Sequence, residues 1–481
     1  MKLLNLIGGT HVPATTETWI DLFDPSTGKV YGKLPRSGAP DVETAVEAAS
    51  AAFPEWSSFS SDKRAACIDR LADFIAENAE MLAEAESKDN GKPISLASTV
   101  DIPRAEKNLR FYASAIKHFA SESHYMEGVA INYTLKKPLG VVACISPWNL
   151  PLYLFTWKVA PALAAGNCVV AKPSEITPAT AFLLSKWVKA AGFPDGVFNI
   201  IHGLGAEVGD ALVRHPKIAA VSFTGGTATG AHIASVVAPQ FKKLSLELGG
   251  KNAAVIFSDC DFDDALSTTV KSSFANQGQI CLCGSRILVE KSLYPRFRDA
   301  LVEKAARMKV GNPMDPKTRM GAVVSKEHRD KILDYIEIAK SEGGTVLCGG
   351  FATSPEGEEE LSGGYYVQPT VIEGVGVNCR ANQEEIFGPV VTIQPFEHDE
   401  DAVAQANSTK YGLSATIFTN DLKRAHGVAG KLDTGIVWIN TWLLRDLRTP
   451  FGGAKDSGVG REGGFEALSF FTEPQNICVK L

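Results

Sequence analysis

Two apolar runs, Val141-Val-Ala-Cys-Ile-Ser146 and Cys168-Val-Val-Ala-Lys172, decide the fold prediction for this chain. Each run is short and is followed by a stretch with the spacing of a helix. Further runs of this kind occur at Val197–Ile201, Ala219–Thr224 and Lys243–Leu248. Short apolar strands that alternate with helices are typical of βαβ units, so the sequence predicts an α/β fold built on a parallel sheet.

A second series of the same kind begins after Gly250 and predicts a second α/β half. Its strand candidates are Ala253–Phe257, Ile287–Glu290, Val390–Pro395, Ala415–Thr419 and Gly435–Asn440. The segment Thr353–Gly364, rich in Ser, Glu and Gly, is expected to be an exposed loop.

The first 125 residues have a different pattern, which predicts mostly helix after a turn at Asp24-Pro-Ser-Thr-Gly28. Apolar residues recur at helical spacing in Val42–Phe53, Asp62–Ser87 and Thr99–Ser121.

The composition is that of an ordinary globular protein with more than one domain. The chain has 481 residues, 45% of them hydrophobic and 21% charged, and its net charge is −7. This balance excludes disordered, collagen-like and coiled-coil classes. The acidity argues against a sequence-independent nucleic-acid binder, which needs a basic surface.

The nine cysteines are odd in number and form no C-x-x-C pair, so we expect no disulfide framework and no metal site. Reduced thiols indicate a reducing compartment. The apolar stretch Leu150–Ala171 contains Lys158 and two prolines, which favours a buried core segment over a membrane span. The N-terminus lacks the apolar length of a signal peptide. We therefore expect the cytoplasm or an organelle matrix.

Two glycine patterns compete for a phosphate-binding role. Gly203-Leu-Gly205-Ala-Glu-Val-Gly209 is one residue longer than the usual dinucleotide fingerprint, and a tight turn explains it equally well. Phe223-Thr-Gly225-Gly226 lies between a strand and a helix, where backbone N–H groups favour an anion. Lys172-Pro-Ser-Glu175 ends a strand; Glu175 could bind a ribose hydroxyl, or Ser174 and Glu175 could cap a helix.

Two further residues are candidates for chemistry. Cys281 lies between Gly and small residues just after a helical pattern, so it could be an exposed and activated thiol, or a buried inert one. Glu247 interrupts an apolar strand that ends at Gly249-Gly250. Because burying a carboxylate without a partner is costly, Glu247 is a candidate base with a raised pKa.

Seven motifs, in order along essentially the whole chain, resemble the aldehyde dehydrogenase superfamily. They are Ser146-Pro-Trp-Asn149-Leu-Pro, Lys172-Pro-Ser-Glu175, Phe223-Thr-Gly225, Leu246-Glu247-Leu-Gly-Gly-Lys251-Asn252, Gly278-Gln-Ile-Cys281, Glu384-Glu385-Ile-Phe387-Gly-Pro389 and Pro450-Phe-Gly-Gly453.

This resemblance implies an α/β fold with a Rossmann-like cofactor domain, an α/β catalytic domain and a small β arm that bridges subunits. By similarity the cofactor domain comprises residues 1–121 and 139–249, the catalytic domain 250–447, and the arm 122–138 with 448–481. The resemblance also implies a homodimer or homotetramer, with a small aldehyde as substrate and neither a nucleic acid nor a membrane as partner.

The resemblance assigns roles to three residues. Cys281 would attack the aldehyde carbon, and Asn149 with the backbone N–H of Cys281 would form the oxyanion hole. Glu247 would activate the water that hydrolyses the thioester. Such a base is needed only if water takes the acyl group, so its presence argues against the branch that transfers the acyl group to coenzyme A.

The implied cofactor is NAD, and its expected binding residues are Trp148, Lys172, Glu175, Gly225, Gly226, Glu385 and Phe387. Glu175 favours NAD over NADP because a 2′-phosphate would meet a carboxylate. Gly226 departs from the family pattern, in which many relatives carry a serine that reaches the pyrophosphate.

Other segments are similar to the 2-aminomuconic semialdehyde dehydrogenase branch. They are Ser87-Lys-Asp-Asn-Gly-Lys92, Asp101-Ile-Pro-Arg104, Ser273-Phe-Ala-Asn-Gln-Gly, Ile280-Cys-Leu-Cys283 and Trp442-Leu-Leu-Arg445-Asp446.

In that branch, arginines at the positions of Arg104 and Arg445 bind the substrate carboxylate, which implies 2-aminomuconate or 2-hydroxymuconate 6-semialdehyde as substrate. Without the resemblance, Arg104 is a surface helix residue and Arg445 a solvated loop cation. The alternatives are a broad aliphatic, betaine or retinal aldehyde dehydrogenase, and a relative without activity kept for structure or binding.

Overall fold

A computed structural model describes residues 1–481. The N-terminal segment forms two β-hairpins, then a layer of helices, then a third hairpin. Its elements are β1 (Asn5–Ile7), β2 (Thr10–Val12), β3 (Trp19–Asp24), β4 (Lys29–Pro35), α1 (Ala39–Ser58), α2 (Ser61–Glu77), α3 (Ala79–Asn90), α4 (Ile94–Leu96), α5 (Ile102–Ala115), β5 (Ser123–Met126) and β6 (Ala130–Pro138).

The prediction for this segment is only partly right. The three helical regions are present, and the turn at Asp24–Gly28 connects β3 to β4, but the flanking hairpins were not predicted. The single helix expected over Asp62–Ser87 is wrong, because it breaks at Asn78. The Asn78 amide donates to the carbonyl of Phe74 at 2.9 Å, in competition with the regular backbone ladder.

The second segment alternates strands and helices as the sequence predicts. Its elements are β7 (Val141–Ile145), α6 (Pro151–Ala164), β8 (Cys168–Lys172), α7 (Ala179–Ser185), β9 (Phe198–Ile200), α8 (Asp210–Arg214), β10 (Ile218–Thr224), α9 (Thr227–Val237) and β11 (Lys243–Glu247). All five strand predictions are confirmed, with bounds shifted by at most a residue or so at each end. The apolar stretch at Leu150–Ala171 forms α6 and β8 and is buried, as expected.

The third segment forms the second α/β unit. Its elements are β12 (Asn252–Ile256), α10 (Phe262–Phe274), β13 (Gly284–Glu290), α11 (Tyr294–Ala306), α12 (Lys326–Ser341), β14 (Thr345–Cys348), β15 (Ala352–Thr353), β16 (Tyr366–Val367), β17 (Thr370–Glu373), α13 (Arg380–Gln383), β18 (Val390–Phe396), α14 (Asp399–Asn407), β19 (Tyr411–Gly412), β20 (Ser414–Phe418), α15 (Leu422–Ala429) and β21 (Ile436–Ile439). The chain ends with β22 (Ala454–Lys455), β23 (Gly458–Val459), α16 (Gly464–Phe470) and β24 (Thr472–Lys480).

Two large sheets organise the molecule. The first has the order β2-β1-β9-β8-β7-β10-β11-β23, with β9 to β11 all parallel, and the second has the order β14-β17-β18-β13-β12-β20-β21. The predicted α/β fold on parallel sheets is therefore confirmed.

A separate antiparallel sheet has the order β24-β6-β5. Within residues 448–481, only β24 joins this small sheet. The preceding strands β22 and β23 pair instead with β19 and with β11 of the first large sheet.

No helix in the structure combines the length and the apolar character that crossing a bilayer requires. All nine cysteine thiols are free.

Candidate active site

The strand order of the first sheet creates a crevice at the carboxyl ends of β7 and β10. The chain runs outward from β7 through β8 to β9 and then returns to the other side of β7 at β10. Ligands of open parallel sheets bind where the order reverses in this way. The loop after β7 carries Trp148 and Asn149, and the loop after β10 carries Gly225 and Gly226 just before α9.

A cleft of about 250 Å³ opens at this point and brings together residues from distant parts of the chain. Seven expected site residues line it: Trp148, Asn149, Gly225, Gly226, Cys281, Glu385 and Phe387. Glu247, Arg104, Arg445, Lys172 and Glu175 do not line this cleft and are placed by other contacts.

Asn149 is buried, and hydrogen bonds hold both its side-chain amide and its backbone carbonyl. Its side-chain amide donates to the carbonyl of Gln279 at 3.0 Å. Its own carbonyl accepts from Lys92 Nζ and from Asn276 Nδ2, each at 3.0 Å. The amide nitrogen carries two hydrogens, so a second N–H remains to bind an oxygen in the cleft.

Cys281 is only partly exposed, and its backbone carbonyl accepts from Asn252 Nδ2 at 2.6 Å. Burial, with the negative charges of Glu385 and Glu247, raises the pKa of its thiol. These surroundings favour the neutral form of the thiol, while the partial exposure of Cys281 in the cleft keeps it accessible to a ligand there.

Glu247 ends β11 and is buried, and its Oε1 has no hydrogen-bond partner. Burial and the nearby Glu462 raise the pKa of this carboxyl well above its ordinary value, although Lys158 and Arg445 oppose the shift. The direction of this shift is the one that the sequence predicts. A carboxylate is a stronger base when its pKa is raised toward the pH at which the enzyme works. Glu247 therefore suits general base catalysis.

Glu175 lies in a second cavity, of about 710 Å³, which Gly205, Gly209 and Phe223 also line. Its carboxylate pairs with Lys172 at 2.5 Å and accepts from the backbone N–H of Gly205 at 3.3 Å. Burial alone would raise the pKa of Glu175, but the charge and hydrogen bond of Lys172 lower it. The alternative interpretation of a helix cap is wrong, since α7 begins only at Ala179.

Glu385 and Phe387 form one wall of the cleft. Glu385 accepts from the backbone N–H of Gly250 at 2.9 Å, and a Cβ on Gly249 would approach its carboxylate to 2.2 Å, so a side chain there would displace that carboxylate. Phe387 has the left-handed φ of 62°, and its ring packs edge-on against Trp148 at 5.2 Å. The imidazole of His328 hydrogen-bonds the Phe387 carbonyl at 2.7 Å.

Arg104 and Arg445 meet around Tyr153 and Trp157 of α6. Arg445 donates to the Tyr153 hydroxyl at 3.1 Å, and the Arg104 guanidinium lies 5.4 Å from the centre of the Tyr153 ring. Both are partly buried, so their interpretation as a surface helix residue and a solvated loop cation is wrong. Neither forms an ion pair, and Arg104 Nε, Arg104 Nη2 and Arg445 Nη2 are buried without a hydrogen-bond partner.

Comparison with known proteins agrees with this geometry. The profile of the aldehyde dehydrogenase family matches residues 11–477. The chain is 51% identical to the 2-aminomuconic semialdehyde dehydrogenase of Danio rerio, over 100% of this chain and 98% of that one. It is 46% identical to the 2-hydroxymuconic semialdehyde dehydrogenase of Pseudomonas sp. strain CF600, over 100% of both.

The chain belongs to the aldehyde dehydrogenase family.

A solved structure gives the same result for the fold of this aldehyde dehydrogenase. The NAD⁺ complex of aldehyde dehydrogenase from Bacillus cereus superimposes with a TM-score of 0.97 at 39% identity, and the alignment covers 100% of this chain and 97% of that one. The family membership expected from the motifs is therefore confirmed.

Sequence reasoning missed several residues of this aldehyde dehydrogenase site. His328 and Lys331 of α12 line the cleft, and no motif marks them. In the sequence, Lys158 only interrupts an apolar stretch. In the structure it is the sole charge in α6 and binds Glu462 at 2.8 Å, beside Ser222. A lone charge in a buried apolar helix is costly without a partner, and that is the signal that could have found the pair.

Proposed function

We propose that this aldehyde dehydrogenase oxidises a carboxylated semialdehyde, 2-aminomuconate or 2-hydroxymuconate 6-semialdehyde, to the corresponding dicarboxylic acid. The observation that carries the proposal is the pair Arg104 and Arg445, which lie around Tyr153 and Trp157 with buried N–H groups that have no partner. The printed names of the two relatives above indicate the same substrate class.

Two partly buried positive charges repel each other, and an anion bound between them offsets this repulsion. The charge of Arg445 adds to burial in lowering the pKa of Arg104, and no protein carboxylate pairs with either guanidinium. A substrate carboxylate would supply charge-assisted hydrogen bonds of roughly 1.5–3 kcal/mol each. A neutral aliphatic aldehyde or the cation betaine aldehyde would leave these donors unpaired, which disfavours the broad-specificity alternative.

Arg445 also connects this anion site to the reacting groups. Its positive charge acts on both Cys281 and Glu247. In this proposal, a substrate held by its carboxylate at Arg445 presents its far end to the cysteine and the glutamate.

In the first chemical step, the thiol of Cys281 gives up its proton to solvent, the resulting thiolate attacks the aldehyde carbon, and the carbonyl oxygen becomes an oxyanion. The free N–H of Asn149 and the backbone N–H of Cys281 donate to that oxygen. One donor of this kind contributes about 3 kcal/mol to catalysis.

The residues around the crevice fit a dinucleotide. A Cβ on Gly225 would approach the Phe223 ring to 2.4 Å, so glycine leaves that ring in place, and the N-terminus of α9 just beyond it favours an anion. Gly225, Gly226, Trp148, Glu385 and Phe387 would hold the nicotinamide half, and Lys172 with Glu175 the adenosine ribose. When bound, NAD supplies the hydride acceptor that converts the adduct on Cys281 into a thioester.

Two finer features belong to the same proposal. The ionised Glu175 disfavours the 2′-phosphate of NADP, so NAD is the preferred cofactor. Glu247 takes a proton from water, and the resulting hydroxide attacks the thioester carbon; the C–S bond breaks, which releases the acid and returns the Cys281 thiolate. The enzyme is therefore hydrolytic rather than acylating.

The arm and the domain boundaries are also proposed. The sheet of β5, β6 and β24 exposes Tyr125, Ile131, Leu135 and Val479, and apolar side chains on an exposed sheet favour contact with another subunit. We therefore propose a homodimer or homotetramer with the cofactor and catalytic segments named above and with an arm made of residues 122–138 and β24. Nine free thiols suit the reducing cytoplasm.

The test is a comparison of kcat/KM for carboxylated semialdehydes with kcat/KM for neutral aldehydes of similar length, each with NAD and with NADP. The proposal predicts at least a tenfold preference for the carboxylated substrate and for NAD. Equal kcat/KM for hexanal and a muconic semialdehyde would contradict the substrate assignment while leaving the family membership intact.

A further inference from the structure

A buried cluster of three charged residues lies directly behind the loop that carries Asn149. Its members are Glu86 of α3, Lys92 and Asp101, and each side chain is fully buried. Lys92 Nζ pairs with Asp101, lies 3.5 Å from Glu86 Oε1 and donates to the Asn149 carbonyl at 3.0 Å. None of the three lines the cleft, so the reaction proposed above does not use them.

The cluster holds the Asn149 loop at two points. Lys92 binds the carbonyl of Asn149, and Glu86 Oε2 accepts from the backbone N–H of Leu152 at 3.2 Å, in the first turn of α6. The loop between these anchors carries the Asn149 side chain. Its amide can meet an oxyanion only if the peptide of Asn149 keeps its orientation.

The same cluster holds the helix that carries Arg104. Asp101 ends a wide helical turn at Ala97–Asp101, and α5 follows immediately from Ile102. Arg104 lies in the first turn of α5. One ammonium group therefore contacts both the oxyanion loop and the start of the helix that carries an arginine of the anion site.

Stability alone does not explain this arrangement. Replacing a buried ion cluster by apolar residues of similar volume is often neutral or stabilising, because each buried charge has a large desolvation cost. A lysine here has a geometric advantage that an apolar residue lacks, since its three N–H donors can bind Asp101, Glu86 and a main-chain carbonyl together.

We propose that Lys92 is a positioning residue, which orients the Asn149 amide toward the oxyanion and fixes it relative to the Arg104 helix. The proposal rests on the proposed function, because it assumes that Asn149 donates to an oxyanion. It extends the catalytic machinery to a residue that touches neither substrate nor cofactor.

The first test is Lys92→Met, compared with Lys242→Met. Lys242 donates to the carbonyls of Val213 and His215 at 2.8 and 2.7 Å, away from the cleft, so it is a matched control. We expect Lys92→Met to lower the rate of the NADH burst ten- to a hundredfold, since a misplaced oxyanion donor costs up to that much. Lys242→Met should burst at the wild-type rate.

A second readout separates positioning from general damage. Alkylation of Cys281 by iodoacetamide, followed by mass spectrometry of the Cys281 peptide, forms no oxyanion. We therefore expect Lys92→Met to be alkylated within about twofold of the wild-type rate and to bind NAD normally by fluorescence titration. Loss of alkylation and of NAD binding together with the burst would overturn the proposal, since it would show a structural role only.

The double variant Lys92→Met/Asp101→Asn keeps the test valid if the single variant unfolds, because it removes one of the two buried carboxylates that Lys92 contacts. We expect the double variant to fold and still burst slowly. A folded double variant with the wild-type burst rate would overturn the proposal. A wild-type enzyme that forms no NADH from a muconic semialdehyde would instead contradict the proposed function, so the two failures are distinguishable.

Discussion

Cys281 and Glu247 share a desolvated environment that raises the pKa of both side chains, with different consequences for the two residues. For the glutamate, a raised pKa makes a better base for water. For the cysteine it stabilises the neutral thiol, so the thiol must lose its proton before it attacks the aldehyde. The charge of Arg445 acts in the opposite direction on both groups.

The division of labour between these two residues is testable by substitution. Cys281→Ala should abolish turnover, because no covalent adduct forms, while NAD still binds. Glu247→Gln should acylate normally but hydrolyse slowly, giving one NADH per site followed by a steady state about a hundredfold or more below wild type. Mass spectrometry of the quenched variant should find an acyl adduct on Cys281. A wild-type steady-state rate would remove Glu247 from the role of base.

Glu175 determines the cofactor preference in this account. Glu175→Gln keeps the size of the side chain but removes the charge that a 2′-phosphate would meet, so the preference for NAD over NADP should shrink by about tenfold, or ~1.4 kcal/mol. The measurement is the ratio of kcat/KM for the two cofactors. Glu207→Gln is the matched control, since that exposed carboxylate pairs with Arg36 and does not line the cavity. An unchanged ratio in Glu175→Gln would show that Glu175 does not meet the ribose.

Among the elements, the end of β9 carries an unusual histidine. His202 is buried, and neither ring nitrogen has a partner. Burial, with the charge of Lys172, lowers its pKa to about 3. Its backbone connects the end of β9 to the N-terminal segment, because the His202 N–H donates to Asn5 Oδ1 and its carbonyl accepts from the N–H of Ser37.

This histidine should make the fold sensitive to acid. The folded state keeps His202 neutral while the unfolded chain binds a proton near pH 6.5, so stability is complete above pH 6.5 and falls as the pH decreases toward 3. By pH 5 the loss is about 2 kcal/mol. The measurement is the free energy of unfolding in urea at pH 7.5 and at pH 5.0. Between these two pH values it should fall by about 2 kcal/mol less in His202→Gln than in the wild type. His118→Gln, at an exposed histidine, should lose as much stability between the two pH values as the wild type does. An identical loss in the wild type, His202→Gln and His118→Gln would contradict the account.

The elements also show what the sequence can predict. Strands such as Val141–Ile145 and Cys168–Lys172 were predictable because they are buried on both faces and read as continuous apolar runs. The short hairpins β1–β2 and β3–β4 were not, since their side chains alternate between exposed and buried only irregularly. The break at Asn78 depends on one side-chain hydrogen bond, which periodicity does not report.

At the scale of the whole molecule, the site depends on contacts that no local pattern contains. The motifs around Asn149, Glu247 and Cys281 could be recognised in the sequence, but the positions of Arg104 and Arg445 relative to each other could not, because 340 residues of chain separate them. Only the folded chain brings both to Tyr153. The pairing of Lys158 with Glu462 was likewise hidden, since it joins a helix of the first unit to a loop near the C-terminus.

The central claim is that this pair of arginines selects a carboxylated aldehyde, and the most direct measurement is kcat/KM of Arg445→Ala with two substrates. For a muconic semialdehyde the account predicts a ten- to a hundredfold loss, from about 1.5–3 kcal/mol of charge-assisted hydrogen bonding. For hexanal it predicts almost no change, and Arg448→Ala, an exposed arginine paired with Asp446, should be neutral for both. Equal losses for the two substrates in Arg445→Ala would mean that the arginine supports the fold, and the substrate assignment would be contradicted.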